Sequence, residues 1–344
     1  MTAQGSAVRK ALLRAFDVVA EATVLPSFSR VGIGVRRRLG AFSPPPPMTG
    51  QTAIVTGATS GIGLSTATAL ASLGAAVHLV GRDPKRGATA RAAVEAAGPG
   101  QVHLDLVDLS DPEAVAAFGR SLVARYGHVD VLVHSAGALT RSYQTTRGGT
   151  ELTVATQVLG PYALTAALAP LLWSASPATI VTVSSGGMYS QGFDLARLEM
   201  KADGYDGVVA YARSKRAQVV LAKAWARRFA PAGVASFSMH PGWADTPGLR
   251  SALPRFEAVL RPLLRTPEEG ADTVVWLAAG GPAKKAAAEN TSAPTSGFYL
   301  DRFPRSDRRL FVGSPTTISD EEALLEWCAL RSGVKMPLAR LRGS

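Results

Sequence analysis

Cysteine is almost absent from this chain, which has one, Cys328, in 344 residues. A single cysteine excludes an intramolecular disulfide, and no set of cysteines and histidines has the spacing of a structural zinc site. No metal-binding residues are therefore predicted. The absence of disulfides favours a reducing compartment, and we expect a cytoplasmic location.

Long hydrophobic runs are also missing. Nowhere do about 18 or more apolar residues follow one another without interruption, and no small-residue cleavage site is clear near the N-terminus. A membrane span and a signal peptide are therefore not predicted. Apolar residues nevertheless make up 47% of the chain, which is enough for one large domain with appendages.

Acidic residues are outnumbered, because 37 lysines and arginines face 26 aspartates and glutamates and give a formal charge of +11. Nucleic acid, an anionic membrane and an anionic cofactor are all compatible with such a charge. No nucleic-acid-binding motif and no interleaving of aromatic and basic residues accompanies it, so nucleic acid is not an expected partner.

The basic residues are densest in residues 1–47, where seven of them stand against two acidic ones. This extension predicts an amphipathic helix from about Ala7 to Val24, ended by Pro26 and followed by Arg36-Arg37-Arg38. The helix either packs on its own domain, which is the better supported alternative, or makes peripheral contact with an anionic membrane surface, so that the protein would be membrane-associated.

A regular alternation begins after the stiff proline spacer Pro44–Pro47. Short apolar runs bounded by glycine alternate with longer helical patterns, which is typical of a parallel sheet covered by helices on both faces. We therefore predict an α/β fold, a single Rossmann-type doubly wound parallel sheet over residues 48–335, with the N-terminal helical extension before it and a C-terminal helical tail. A flexible loop is expected at 280–294 from its composition, and a short tail at 336–344.

Glycines mark the end of the first predicted strand in "TGATSGIG", which comprises Thr56, Gly57, Ser60, Gly61, Ile62 and Gly63. Glycine lets the chain turn tightly and lets backbone N–H groups approach a pyrophosphate at a helix N-terminus. The second strand ends in Gly81-Arg82-Asp83, where a basic residue would pair with the 2′-phosphate of NADP and an acidic one would accept the ribose hydroxyls of NAD. Arg82 comes first, so NADP(H) is favoured over NAD(H), and Asp83 is the argument for NAD(H).

One helical turn separates Tyr211 from Lys215 in "AYARSKRAQVV". A lysine cation at that distance is expected to favour the phenolate and to lower the pKa of the tyrosine, which makes it a usable proton donor and acceptor. Ser185, at the end of the adjacent strand, can donate a hydrogen bond to a substrate oxygen. Taken alone, the pair would be an interface tyrosine beside a solvated lysine.

The ordered set of motifs resembles the short-chain dehydrogenase/reductase family, in its retinol-dehydrogenase-like branch. The motifs are Thr56-Gly57-x-x-x-Gly61-x-Gly63, Asp108-Leu109, Ala136-Gly137, Ser185, Tyr211-x-x-x-Lys215 and Pro241-Gly242. The resemblance covers about residues 50–250. It implies reversible hydride transfer between a nicotinamide cofactor and a carbonyl or alcohol, with Tyr211 exchanging a proton with the substrate oxygen and Lys215 holding the nicotinamide ribose.

The resemblance also implies cofactor contacts from Asp108, Leu109, Ala136, Gly137, Pro241, Gly242 and Thr246. Asp108 is equally well explained as the cap of a helix that starts near Pro112. Relatives commonly associate through the helix that carries Tyr211 and its neighbour, which implies a homodimer or homotetramer.

Two departures from the family pattern concern the reaction. Where the family has an asparagine, from which a water leads from the active-site lysine toward solvent, this chain has Gln157, and its extra methylene is expected to displace that water. The usual "NNAG" is here "HSAG", and His134 is expected to be a hydrogen-bonded buried histidine rather than a catalyst. These departures leave open a catalytically weak nucleotide-binding sensor or scaffold.

Residues 243–267 are expected to form a flap over the substrate. Its apolar side chains are Trp243, Leu249, Leu253, Phe256, Val259 and Leu260. An apolar flap predicts a lipophilic carbonyl or alcohol as substrate. The equal alternative is that these side chains face the core.

Overall fold

The computed structural model describes residues 12–13, 15–17, 20, 25–40, 42–137, 139–175, 177–307 and 315–337. Most of the predicted helix Ala7–Val24 and most of the tail 336–344 lie outside these residues. The described residues between 12 and 20 are helical.

A single eight-stranded sheet forms the centre of the domain. Its strands are β1 (Thr52–Thr56), β2 (Ala76–Gly81), β3 (Val102–Leu106), β4 (Val131–His134), β5 (Ala178–Val183), β6 (Val234–Met239), β7 (Ser296–Leu300) and β8 (Phe303–Arg305). They lie in the order β3-β2-β1-β4-β5-β6-β7-β8. The first seven are parallel and β8 is antiparallel to β7. The doubly wound parallel sheet is thus confirmed, with an antiparallel edge that was not predicted.

Helices cover both faces of the sheet. The helices of the described residues are α1 (Leu25–Phe28), α2 (Arg30–Arg38), α3 (Gly61–Ser72), α4 (Pro84–Glu95), α5 (Pro112–Arg125), α6 (Leu152–Ala175), α7 (Gly207–Phe229), α8 (Pro247–Ala252), α9 (Pro254–Leu260), α10 (Pro267–Ala278), α11 (Gly281–Glu289) and α12 (Ile318–Ser332). One core lies between the sheet and α3, α4 and α10, and the other between the sheet and α5, α6 and α7. Because the strands are buried on both faces, they are nearly continuously apolar.

Helix α6 contains a π turn, Ala155–Leu159. Among the described residues α6 is the helix that is long and apolar enough to cross a membrane, and 72% of its most apolar 18-residue window is buried in the domain. Its place at the centre of one core accounts for its composition.

The prediction of a flexible loop over residues 280–294 is wrong, because α11 occupies its first part. Four alanines and two lysines in nine residues favour helix. Gly280 and Asn290 take positive φ angles at the two ends, which limits the helix.

The described part of the N-terminal extension packs on the carboxyl end of β6 and β7. The ring centre of Phe28 lies 4.4 Å from that of His240 and 5.8 Å from that of Trp243. Arg36 is fully buried and pairs with Asp301, which follows β7. This arrangement agrees with the better supported alternative, in which the extension packs on its own domain.

The C-terminal helix α12 packs on the outer side of α7 and α6. Leu324 and Cys328 are fully buried in the core formed by those helices. Glu321 pairs with Arg227 of α7. Nearly the whole length of α7 is therefore covered within one chain.

Candidate active site

A cavity of about 520 Å³ opens along the carboxyl ends of the parallel strands. Sixteen of the residues predicted for the site line it: Gly57, Ser60, Gly61, Ile62, Gly63, Arg82, Asp108, Leu109, Ala136, Gly137, Ser185, Tyr211, Lys215, Pro241, Gly242 and Thr246. The two others, Thr56 and Gln157, are fully buried behind the wall. The structure thus places residues that are far apart in sequence around one cavity.

The glycine turn after β1 leaves no room for side chains. A Cβ on Gly57, whose φ is +67°, would lie 2.7 Å from the Cα of Ala136, and one on Gly63 would lie 2.3 Å from the carbonyl oxygen of Gly57. Thr56 Oγ1 accepts hydrogen bonds from the backbone N–H groups of Ser135 and Ala136 and so ties β1 to the segment after β4. Bare backbone at the start of α3 suits a pyrophosphate, so these residues fit a dinucleotide cofactor.

Two arginines line the cavity here, Arg82 just after β2 and Arg86 in the first turn of α4. Asp83 is instead the N-cap of α4, where its carboxylate accepts a hydrogen bond from the backbone N–H of Arg86 at 2.9 Å. That backbone hydrogen bond is the main reason why the pKa of Asp83 lies below its usual value. Arg86 was not found from the sequence, although it stands four residues after Arg82.

Asp108 is not a helix cap, so that alternative is wrong. The N-cap of α5 is Asp111, which accepts hydrogen bonds from the N–H groups of Glu113 and Ala114. Asp108 accepts hydrogen bonds from Ser110 and lines the cavity.

Ser185, Tyr211 and Lys215 meet at the cavity wall. Burial raises the pKa of Tyr211 to about 12, against a hydrogen bond with Ser185 that lowers it. The expected lowering of this pKa by Lys215 is therefore not found. Burial of the phenol is the dominant cause, although Lys215 Nζ lies 5.4 Å from the centre of the Tyr211 ring. The ammonium itself donates to the carbonyl oxygen of Val183 and to Gln218 Oε1.

Burial lowers the pKa of Lys215 to about 7. Its ammonium contacts neutral oxygens, at 2.8 Å to Val183 O and 2.9 Å to Gln218 Oε1. Because no carboxylate among the described residues compensates the loss of solvation, burial shifts Lys215 toward the neutral amine. Lys215 therefore changes charge near neutral pH.

Gln157 and His134 lie behind the cavity. Gln157 Oε1 and Lys215 Nζ both approach Gly137, where a Cβ would be 3.3 and 3.4 Å from them. His134 Nε2 lies 2.8 Å from Thr165 Oγ1, and burial lowers the pKa of His134 to about 3. The expectation that His134 is a buried, hydrogen-bonded histidine agrees with this position.

The loop after β6 is held by residues from both ends of the chain. The N–H of Trp243 donates to the carbonyl of Phe28 at 2.8 Å. Arg265 donates to the carbonyl of Pro241 and to the carboxylate of Asp301. This support cannot be predicted from the sequence, because Arg265 and its partner Ser27 are separated by 238 residues and no local pattern marks them.

The flap over the cavity is partly as expected. Trp243, Leu249, Leu253 and Phe256 line the cavity, whereas Val259 is 77% exposed and Leu260 lies away from it. Arg141 Nη2 donates to the carbonyl of Ser251 and so ties the flap to the segment after β4. Four of the six apolar side chains therefore face the cavity.

Comparison with known proteins agrees with this geometry. The family model described as "short chain dehydrogenase" matches residues 51–255. Dehydrogenase/reductase SDR family member 12 of Bos taurus is 38% identical over 278 residues, which cover 80% of this chain and 84% of that protein. Retinol dehydrogenase 11 of Mus musculus is 34% identical over 237 residues, covering 67% and 73%.

Among solved structures, a putative NAD(P) dependent gluconate 5-dehydrogenase from Beutenbergia cavernae with bound NADP has a TM-score of 0.59 and 26% identity. The likeness covers 74% of this chain and 96% of that one. The matched residues 51–255 include the glycine turn, Ser185, Tyr211 and Lys215. The chain therefore belongs to the short-chain dehydrogenase/reductase family and is an NAD(P)-dependent oxidoreductase.

Proposed function

We propose that this oxidoreductase reversibly reduces a lipophilic carbonyl compound, with NADPH as the preferred cofactor. The observation that carries the proposal is the meeting of Ser185, Tyr211 and Lys215 in one cavity with a glycine turn and an apolar flap. The nicotinamide, when bound, supplies or accepts the hydride. The glycine turn would hold the pyrophosphate, and Pro241, Gly242 and Thr246 would border the nicotinamide end.

Tyr211 is proposed to exchange the proton. With a pKa of about 12 its hydroxyl is protonated at neutral pH, which suits donation to a carbonyl oxygen during reduction. Ser185 would donate a hydrogen bond to the same oxygen as charge develops on it. Lys215, when protonated, would stabilise the tyrosine anion that remains after donation.

Preference for NADPH is supported by the end of β2. Arg82 and Arg86 both face the cavity, while the carboxylate of Asp83 is engaged as a helix cap. A 2′-phosphate would meet Arg82 and Arg86, of which Arg86 is also paired with Asp83 at 3.2 Å, whereas the ribose hydroxyls of NADH would lack a free acidic acceptor. Arg82→Gln is expected to raise KM for NADPH about tenfold and to leave KM for NADH unchanged.

The matched control for Arg82 is Arg91→Gln, an exposed arginine of α4 that pairs with Glu95. It should leave both KM values unchanged. An equal rise in KM for NADPH and NADH in Arg82→Gln would contradict the proposed preference for NADPH.

A lipophilic substrate is supported by the flap and by the relatives. Retinol dehydrogenase 11 bears the name of a lipophilic alcohol. Phe256→Ala should raise KM for long-chain aldehydes, because it removes apolar surface from the cavity. Val259→Ala, on the outer side of the same helix, should change nothing, and equal KM values in the two variants would count against the flap.

The first experiment is oxidation of NADPH and NADH with a panel of lipophilic aldehydes and ketones. General acid catalysis typically contributes 10²–10⁴-fold, so Tyr211→Phe should lose about that factor in kcat. The control is Tyr143→Phe, which removes a hydroxyl from a tyrosine outside the cavity lining. Cofactor binding with no Tyr211-dependent turnover across the panel would favour the sensor or scaffold.

Peripheral membrane contact through residues 1–47 is a separate proposal. Arg30, Arg37 and Arg38 are exposed beside Val31 on α2, so a basic and partly apolar surface faces outward. Deleting residues 1–47 would also remove Phe28, whose carbonyl holds the active-site loop, and Arg36, which pairs with Asp301. Arg30→Gln combined with Arg38→Gln is therefore the better variant, and unchanged sedimentation with anionic liposomes would contradict membrane contact.

We also propose a homodimer or homotetramer, but one whose interface lies away from the part of α7 that α12 covers. The packing of α12 on α7 and α6 argues that an association would use a different surface of the chain. Sedimentation equilibrium of the full chain tests this, and removal of residues 315–344 should create association by exposing α7.

A further inference from the structure

We propose that Gln218 is a positioning residue of the reaction, because its carboxamide holds Lys215 and ties it to the backbone of the π turn in α6. The inference rests on the proposed function of Lys215 and deepens it. Gln218 lies one turn after Lys215 on α7 and is 1% exposed.

The two halves of the Gln218 carboxamide have different partners. Oε1 accepts a hydrogen bond from Lys215 Nζ at 2.9 Å, and Nε2 donates one to the carbonyl oxygen of Gln157 at 2.8 Å. An ammonium has only donors and a carbonyl only accepts, so the chemistry of the partners fixes the orientation of the amide. A carboxylate or a hydrocarbon of the same size could not make both contacts.

The carbonyl that Gln218 reaches belongs to the π turn Ala155–Leu159. Such turns occur frequently at functional sites. The Gln218 carboxamide spans the Lys215 ammonium and this carbonyl oxygen. Through Gln218, Lys215 is therefore linked to α6 by the backbone of Gln157, although the Gln157 side chain departs from the family pattern.

The described residues that contact Lys215 from neighbouring elements are neutral. Strand β5 contributes the carbonyl of Val183, α6 contributes Gln157, and the segment after β4 contributes Gly137. The titratable neighbour is Tyr211 on α7 itself, which is protonated at neutral pH. Because Gln218 supplies an oxygen without a charge, Lys215 remains able to change its protonation state near pH 7.

Gln218→Glu tests this directly, because it replaces the amide with a carboxylate of the same shape. An opposite charge at such a distance raises a lysine pKa by about 1 to 3. The control is Gln101→Glu, the same chemical change at an exposed position before β3, at the opposite end of the sheet. Gln218→Asn keeps the amide but shortens its reach, and it should lower kcat about tenfold without a matching rise in KM.

The pKa of Lys215 is to be read by NMR of the full-length protein with isotope-labelled lysine, with Lys215→Met identifying the resonance by its loss. We expect titration near pH 7 in the wild type and in Gln101→Glu, and a clearly higher midpoint in Gln218→Glu. The same midpoint in all three proteins, or an equal shift in both glutamate variants, would overturn the role of Gln218.

This readout needs no substrate and separates the two proposals. Failure to find Tyr211-dependent turnover would count against the proposed function, whereas the titration of Lys215 would still decide whether Gln218 controls it. Where turnover is found, the pH dependence of kcat/KM should move upward in Gln218→Glu with the NMR midpoint. A profile that stays in place while the midpoint moves would contradict a role in the reaction.

Discussion

Two sets of buried cations stand on either side of the active-site loop, and they are stabilised differently. Lys215 is 3% exposed, and its hydrogen-bond partners in the described part of the chain are neutral oxygens. Arg36 and Arg265 are 0% and 1% exposed, and both pair with the carboxylate of Asp301, itself 1% exposed. Burial alone therefore does not decide whether a cation here is structural or able to titrate, because the counter-charge decides it.

The paired set is structural. Arg36 also pairs with Asp17, which in turn pairs with Arg305 of β8. Burial works to raise the pKa of Asp17, but hydrogen bonds and charge from Arg305 and Arg36 together hold it below its usual value. These contacts join the N-terminal extension to the end of the sheet, and through Arg265 they reach the carbonyl of Pro241.

Removing the shared carboxylate should give the largest effect on stability. Asp301→Asn leaves two buried guanidinium groups without their common counter-charge, and breaking a buried pair in this way costs about 3–5 kcal/mol. The measurement is the free energy of unfolding in denaturant. A loss no larger than that of a surface substitution would show that the set does not hold the fold together.

The buried Lys215 should make the free energy of unfolding depend on pH. Below pH about 7 Lys215 is protonated in both states, but between about 7 and its ordinary pKa of 10.5 only the unfolded chain holds that proton. The wild type should therefore gain roughly 1.4 kcal/mol per pH unit over this window relative to Lys215→Met. Parallel curves for the two proteins from pH 7 to 10 would mean that Lys215 titrates normally.

The same titration should appear in catalysis. The cation is present below pH about 7 and is lost above it, so kcat/KM for carbonyl reduction should fall about tenfold per pH unit on the alkaline side. This quantity reports the groups of the free enzyme, which makes it the appropriate one. A value of kcat/KM that stays constant from pH 6 to 9 would show that the charge of Lys215 does not affect the proton transfer.

An exposed ion pair near the same loop should show the smallest effect. Asp245 and Arg250 on the flap are joined by two hydrogen bonds, but Arg250 is largely exposed. Solvent and salt screen such a pair, so Asp245→Asn should leave the free energy of unfolding unchanged within error. A large loss would show that charge pairing matters around this loop regardless of burial.

Local patterns were sufficient to predict the sheet and most of the cavity lining. The glycine turn can be recognised in the sequence because positions 57 and 63 have no room for a Cβ and so require glycine. Tyr211 and Lys215 can be recognised because one helical turn places them together. Both requirements act within a few residues of the chain.

The remaining features depend on contacts that no local pattern marks. The helix α11 was mistaken for a loop, because its glycine and proline content hid an alanine-rich centre. The pKa of Tyr211 was predicted in the wrong direction, since spacing gives the distance between two side chains but neither their burial nor the partners of Lys215. Gln218 and Asp301 were missed for the same reason, because each contacts groups that the sheet brings from distant segments.

The π turn in α6 also changes the register of the helix that follows it. An α-helix rotates by about 100° per residue, so one additional residue in a turn rotates every later side chain by that angle. Gly160, the first residue after the turn, packs so close to Leu109 that a Cβ would lie 2.2 Å from its carbonyl oxygen. The extra residue in this turn therefore lets the Gln157 carbonyl face Gln218 while the residues from Gly160 onward face the core. Deleting a single residue from the turn would rotate one of these two parts of α6 out of position.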